Sequence, residues 1–291
     1  MTLSRGAIAV LCLAACGGGS ATPAPQPTPA PAPALPTPEP PRVEPARGLT
    51  IRYPRTGGGI TRYAFGRRDS VVATMPSGDT QVQLLGRTAF VTVTWVAADT
   101  GARITATIDS VIADSGVTGV QALFDSARTA RWNAFRRPGG RLEQLTGAPK
   151  SLIADQVRDQ LQLLFPMLPA EGAQPGGIWK DSTSGPARLS AFEAVETAHS
   201  ESHADALLTA AGALPIAVVV TRTATGEGTQ FGQPMTLRAT GADTLTYQLA
   251  TDGRVLSVEG VRFTDLVVDL PSIGQSVPAR ERSLLRMTLL R

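Results

Sequence analysis

The chain reads as mainly β with some helix (α+β): an antiparallel half-barrel or curved sheet of two similar halves, with one or two helices on its concave face. Three observations predict this. Apolar and polar residues alternate along several β-branched runs, glycine turns separate those runs, and a stretch of helical period stands near the middle.

The clearest strand is 89–95, where Ala89, Val91, Val93 and Trp95 are apolar while Thr92 and Thr94 face away. Asp99, Thr100 and Gly101 then supply a turn, after which Ile104, Ala106 and Ile108 alternate with Thr105, Thr107 and Asp109. β-branched residues alternating on both sides of an Asp/Gly turn make a hairpin. Further strands follow at 216–220, at Leu245, Tyr247 and Leu249, and, after the Asp252-Gly253 turn, at 255–258, 261–268 and 284–290. In the last of these Leu285, Met287 and Leu289 share one face, opposite Arg286 and Thr288. Such one-sided burial suits antiparallel sheets.

The helical stretch runs from Leu152 to Phe165, with Ser151 as its cap and Pro166 as its stop. Ile153, Val157, Leu161 and Leu164 fall on one stripe, away from Asp155, Arg158, Asp159 and Gln162. That stripe is expected on the concave face. A second stretch, 190–211, has two readings. Ser190 and Glu193 form a capping box, and Phe192, Val195, His199 and His203 fall on one helical face, which favours a helix. The polar run 197–204 also fits an edge strand.

One motif echoes across the chain. Gly140-Arg141-Leu142 through Gly147 matches Gly253-Arg254-Val255 through Gly260. The echo suggests two β halves, 47–148 and 175–291, joined by the helix at 151–165.

Ahead of the sheet stands a leader. Arg5 precedes a short apolar run, 7–13, that ends in Ala14, Ala15 and Cys16. A positive start, a short apolar core and small residues before a cut make a signal peptide, expected here over 1–15. The run is far shorter than the roughly 20 residues that span a bilayer. Leu13-Ala14-Ala15-Cys16 resembles the lipobox of bacterial lipoproteins. The resemblance implies a diacylglyceryl group on the Cys16 sulfur and cleavage before that residue. Each buried CH₂ adds about 0.8 kcal/mol, so two or three acyl chains hold firmly where one does not. Gly17 follows, where an aspartate would imply retention at the inner membrane. By that resemblance the chain is expected in the cell envelope, lipid-anchored to the outer membrane and facing the periplasm.

Cysteine usage agrees. Cys12 leaves with the leader and Cys16 carries lipid, which leaves the mature domain without thiol, disulfide or cysteine-based metal site. Residues 16–46 form the lipidated cysteine and its tether, where proline alternates with small residues. Proline fixes φ and donates no hydrogen bond, so this stretch is a semi-rigid spacer at about 3.1 Å per residue. The globular β-rich domain is then 47–291.

The composition excludes several functions. Arginine is plentiful and scattered, lysine is confined to Lys150 and Lys180, and aromatics do not interleave with the cations, so nucleic acid is not a partner. The mature chain has two histidines, His199 and His203. They are weak metal candidates. On a helix they would share a face with Glu196, and on a strand His203 would stand with Glu201 and Asp205. The spacing lacks the glutamate directly after the first histidine that metalloprotease chemistry requires. No nucleophile elbow or phosphate-binding glycine loop occurs, and Gly57–Gly59 precedes a strand. Asp265 and Asp269 read as solvated acids. Trp95 reads as core, and Trp179, after Gly176 and Gly177, as a structural plug. No catalytic residue and no cofactor are expected.

The lipobox, the sheet halves and the intervening helix together resemble the lipoprotein carriers typified by LolA and LolB, which fold as an incomplete antiparallel barrel plugged by helices. The likeness is architectural, covers about 50–291 and carries over no functional residue. The chain is similar also to β-rich bacterial lipoproteins with a Pro/Gly turn and tryptophan, as at 175–179. The expectation is a non-enzymatic envelope lipoprotein that binds an apolar ligand or lipid in its half-barrel. The alternative is a structural module that meets an envelope protein, with a hydrolase as the third choice.

Overall fold

A computed structural model describes residues 48–290, except positions 76, 115–120, 148–150, 190–191 and 231–232. The leader, Cys16, the tether to residue 46 and the capping serine at 190 lie outside the described residues.

Among the described residues, eleven strands form one open antiparallel sheet. In chain order they are β1 (Gly58–Thr74), β2 (Thr80–Ala98), β3 (Gly101–Ala113), β4 (Arg131–Arg136), β5 (Leu142–Gly147), β6 (Ile178–Leu189), β7 (Phe192–Ala204), β8 (Leu214–Gln230), β9 (Gln233–Leu249), β10 (Val255–Leu270) and β11 (Gln275–Leu290). Among the described residues two α-helices interrupt them, α1 (Gln121–Asp125) and α2 (Leu152–Leu163), with a single 3-10 turn at Pro271–Ile273. The order across the sheet is β5-β4-β3-β2-β1-β11-β10-β9-β8-β7-β6. The chain starts in the middle, meanders to one edge, crosses through α2 to the other edge and meanders back until β11 pairs with β1. Both edge strands, β5 and β6, flank α2 in sequence, so the helix is the link across the gap.

The hairpin expected around Gly101 is present, with Ile104, Ala106 and Ile108 buried on β3. Leu285 and Met287 of β11 are buried, as their alternation with Arg286 and Thr288 requires. The echoed octapeptides lead into β5 and β10. Gly253 closes the β9–β10 turn at φ 82°, and any side chain there would strike the Arg52 carbonyl. Only glycine meets both conditions.

The stretch 190–211 is corrected by the structure. Residues 192–204 form β7, paired on one side with β6 and on the other with β8. The sequence favoured a helix because the capping box and the Phe192–His203 stripe fit one. Apart from Phe192 and Glu196, the residues that face inward are small, Ala194, Ala198, Ser200, Ser202 and Ala204, and give a faint period-2 signal. Two neighbouring strands supply hydrogen bonds that local propensity does not register.

The packed core lies under α2. Ser151 caps the helix by accepting from the Ala154 amide at 3.1 Å. Ile153, Val157, Leu161 and Leu164 are fully buried against Phe65, Val91, Ile104, Trp132 and Leu249. Hydrogen bonds fix the helix end: Tyr247 donates to the Leu163 carbonyl (2.9 Å), Tyr53 to Pro166 (2.7 Å) and the Trp179 indole to Met167 (2.6 Å). Trp179 thus ties edge strand β6 to the segment that crosses the gap. Arg136 lies over the rings of Tyr53 and Phe165 and seals this end of the sheet. Burial pushes Tyr53, Tyr63 and Tyr247 above the ordinary phenol range, Tyr63 up to about 12.

Candidate functional site

The concave face is layered, and the register defines each layer. Next to the helix-covered core, one row crosses five strands as Leu85 (β2), Asp69 (β1), Ser283 (β11), Arg262 (β10) and Asp243 (β9). The row beyond it contains Glu281, Thr264, Gly241 and Arg222. These rows form a charged belt inside the curve of the sheet.

Two clusters make up the belt. In the first, Arg67 donates to both Asp69 oxygens (2.7 and 2.9 Å) and to Glu281 (2.8 Å). Ser283 donates to Asp69 at 2.6 Å, and Gln156 of α2 does so at 2.9 Å. Arg87 is buried beside Arg67 and, among the described residues, donates to the amide oxygens of Gln156 (3.1 Å) and Gln160 (3.0 Å). Burial pushes its guanidinium down to about 9, with Arg67 adding to the effect and Asp69 and Asp159 opposing it. In the second cluster Asp243 is 1 % exposed and accepts from Arg222 (2.9 Å) and from two nitrogens of Arg262 (3.1 and 3.0 Å). Burial opposes the Arg262 charge, but Asp243 outweighs it and holds the group above its ordinary range. Arg222 also reaches Glu196 at 3.3 Å, and its guanidinium lies over Gly241, where a Cβ would meet it at 2.9 Å.

Beyond the belt the inward residues become apolar and small. One row holds Ala73, Ala279, Leu266, Ala239 and Ala224. Past it, Phe192, Met235, Leu237, Leu270 and Val277 form a second apolar cluster, separate from the core under the helix. On β9 this surface runs ten residues past Asp243, to Gln233, about 34 Å of strand. Gln156 stands level with Asp69, and only four helical residues, about 6 Å, precede it.

The histidines lie on the opposite, convex face of β7. His199 Nδ1 is 2.9 Å from Ser182 Oγ, and His203 Nε2 is 2.8 Å from Glu201, which also pairs with Lys180 at 2.8 Å. The strand brings Glu201 and His203 together, as its alternation requires. Asp205 lies past the end of β7 and accepts from the Leu207 amide at 3.1 Å. No group of three metal-ligating side chains occurs among the described residues. Ser182 and His199 lie on an exposed sheet surface, and among the described residues no acid is placed to orient the imidazole as serine activation requires. Asp265 and Asp269 are also on the convex face, paired with Arg280 (2.6 Å) and Arg238 (3.0 Å).

The charged belt was not singled out in the sequence. Its signal was Arg67-x-Asp69 and Glu281-x-Ser283, polar pairs at the inward positions of strands that are apolar on either side.

No protein-family model matches the chain, and no curated protein matches it. Among solved structures the chain aligns with DynF from the dynemicin biosynthesis pathway of Micromonospora chersina at 10 % identity, covering 85 % of this chain and 91 % of that one, with a TM-score of 0.23. A superposition that loose carries no argument about function.

Proposed function

We propose that the protein is a non-enzymatic envelope lipoprotein, anchored through lipid on Cys16, whose half-barrel binds an apolar ligand or lipid between the charged belt and the strand tips. The observation that carries the reading is the second apolar layer. Ala73, Ala279, Ala239 and Ala224 line the concave surface beyond the belt with small side chains, three of them buried, and the apolar cluster of Phe192, Met235, Leu237, Leu270 and Val277 follows it. Apolar concave surfaces with a few fixed polar groups are where small molecules bind. The belt supplies those polar groups at one end, and Glu281 and Glu196 keep about a quarter of their side chains open.

The anchor rests on the leader and lipobox, and the tether gives the domain reach from its membrane. Native mass spectrometry of the full chain purified from its own membrane tests the ligand. A co-purifying lipid that survives buffer exchange is the expected result, and a bare protein counts against the groove. Membrane fractionation of Cys16→Ser tests the anchor separately, with release from the membrane expected.

A further inference from the structure

We propose that the convex face of β2, β1, β11 and β10 docks on an anionic phospholipid surface. This site is distinct from the concave groove and goes beyond it. The register sets three rows side by side. Leu84, Ser70, Arg282 and Phe263 form one; Gly86, Arg68, Leu284 and Val261 the next; Val82, Val72, Arg280 and Asp265 the third. Leu84 is 73 % exposed, Val82 60 % and Phe263 47 %, with Leu284 and Val72 also open. Four strands at about 4.8 Å and three rows at about 6.8 Å give a face of a few hundred Å², on which leucine, valine and phenylalanine side chains are interspersed with arginine. Gly86 and Ser70 are small, so the patch is dished. A depression of about 420 Å³ lies between Leu84 and Leu284, with Arg68 and Arg282 at its rim.

The charges select the occupant. Arg68 is taken by Asp114 (2.5 Å) and Arg280 by Asp265 (2.6 Å). Arg282 stands at the centre with its guanidinium 5.8 Å from the Phe263 ring, and no described carboxylate pairs with it. An arginine amid leucine, valine and phenylalanine suits the depth at which lipid phosphates meet acyl chains. A second copy of the chain fits worse, because a two-fold contact centred here would bring the two Arg282 side chains together. The patch need not bind strongly, since a tethered domain already sits at high local concentration beside its membrane.

The test is co-sedimentation of residues 48–291, whose described strands form one sheet with its own core, with vesicles of phosphatidylcholine alone or with added phosphatidylglycerol. Binding to the anionic vesicles that weakens with salt is expected. Leu84→Gln with Phe263→Gln lowers it about tenfold or more, since each side chain contributes over about 1 kcal/mol when buried. Circular dichroism and the melting temperature stay unchanged. Should that double variant misfold, Arg282→Gln serves, and it abolishes the preference for the anionic lipid. Ala239→Phe, in the groove, binds vesicles as the wild type does. Equal binding to both vesicles, undiminished binding by the variants, or loss of binding in Ala239→Phe overturns the proposal. So does a solution dimer that the Leu84 and Phe263 changes dissolve.

Discussion

Replacing Asp243 by alanine should destabilise the domain by about 4 kcal/mol. Asp243 is buried and accepts three hydrogen bonds from two guanidinium groups. Arg222 keeps Glu196 and Thr264 after the change, but Arg262 loses both contacts to this carboxylate. Removing one partner of a buried pair costs about 3–5 kcal/mol because a charge is left without compensation. With a urea slope of about 2 kcal/mol per molar, the midpoint should fall by about 2 M. The companion variant Asp243→Leu with Arg222→Met and Arg262→Met should recover most of the loss, since an apolar trio of similar volume carries no desolvation cost. A cost below about 1 kcal/mol for Asp243→Ala would refute the view that this carboxylate organises the belt.

Other consequences follow from the packing. Leu161→Ala, beneath α2, should cost about 2–5 kcal/mol in urea unfolding, because a fully buried side chain leaves a cavity. Tyr63 donates to the Val255 carbonyl at 3.1 Å, and its phenol lies near 12 against an ordinary 10. For an acid with a raised folded value, the stability it contributes is full below pH 10 and is lost as pH rises through 12. The stability difference between wild type and Tyr63→Phe should therefore shrink by about 3 kcal/mol across that window. His199→Ala and His203→Ala should each change stability by less than about 0.5 kcal/mol and leave zinc affinity undetectable by calorimetry, as both side chains are on the convex surface.

The sheet was legible wherever one face of a strand is apolar and the other polar. The turns at Gly101 and Gly253, the alternation in 284–290 and the Leu161 stripe each state their structure locally. The strand at 192–204 was not legible, because its inward residues are mostly alanine and serine and its inward Glu196 reads as solvated until its partner strand is known. The charged belt stayed hidden for a related reason. Asp69 meets Ser283 across 214 residues, and a polar residue at an inward position reads as solvated until its partner strand is known. The edge-to-edge crossing was legible only in part, since Pro166 and the 175–177 turn mark where α2 must leave the sheet but not where it lands. The histidines were legible as a pair but not as a site, because strand geometry points them to solvent.

The proposed ligand would sit on the apolar layer between the belt and the strand tips. The most direct test is a titration of wild type and Ala239→Phe with a fluorescent fatty-acid analogue, with unfolding measured alongside. Saturable one-to-one binding by the wild type, lost in the phenylalanine variant at unchanged stability, is the predicted outcome. Binding that is absent in the wild type, or equal in both proteins, would contradict it.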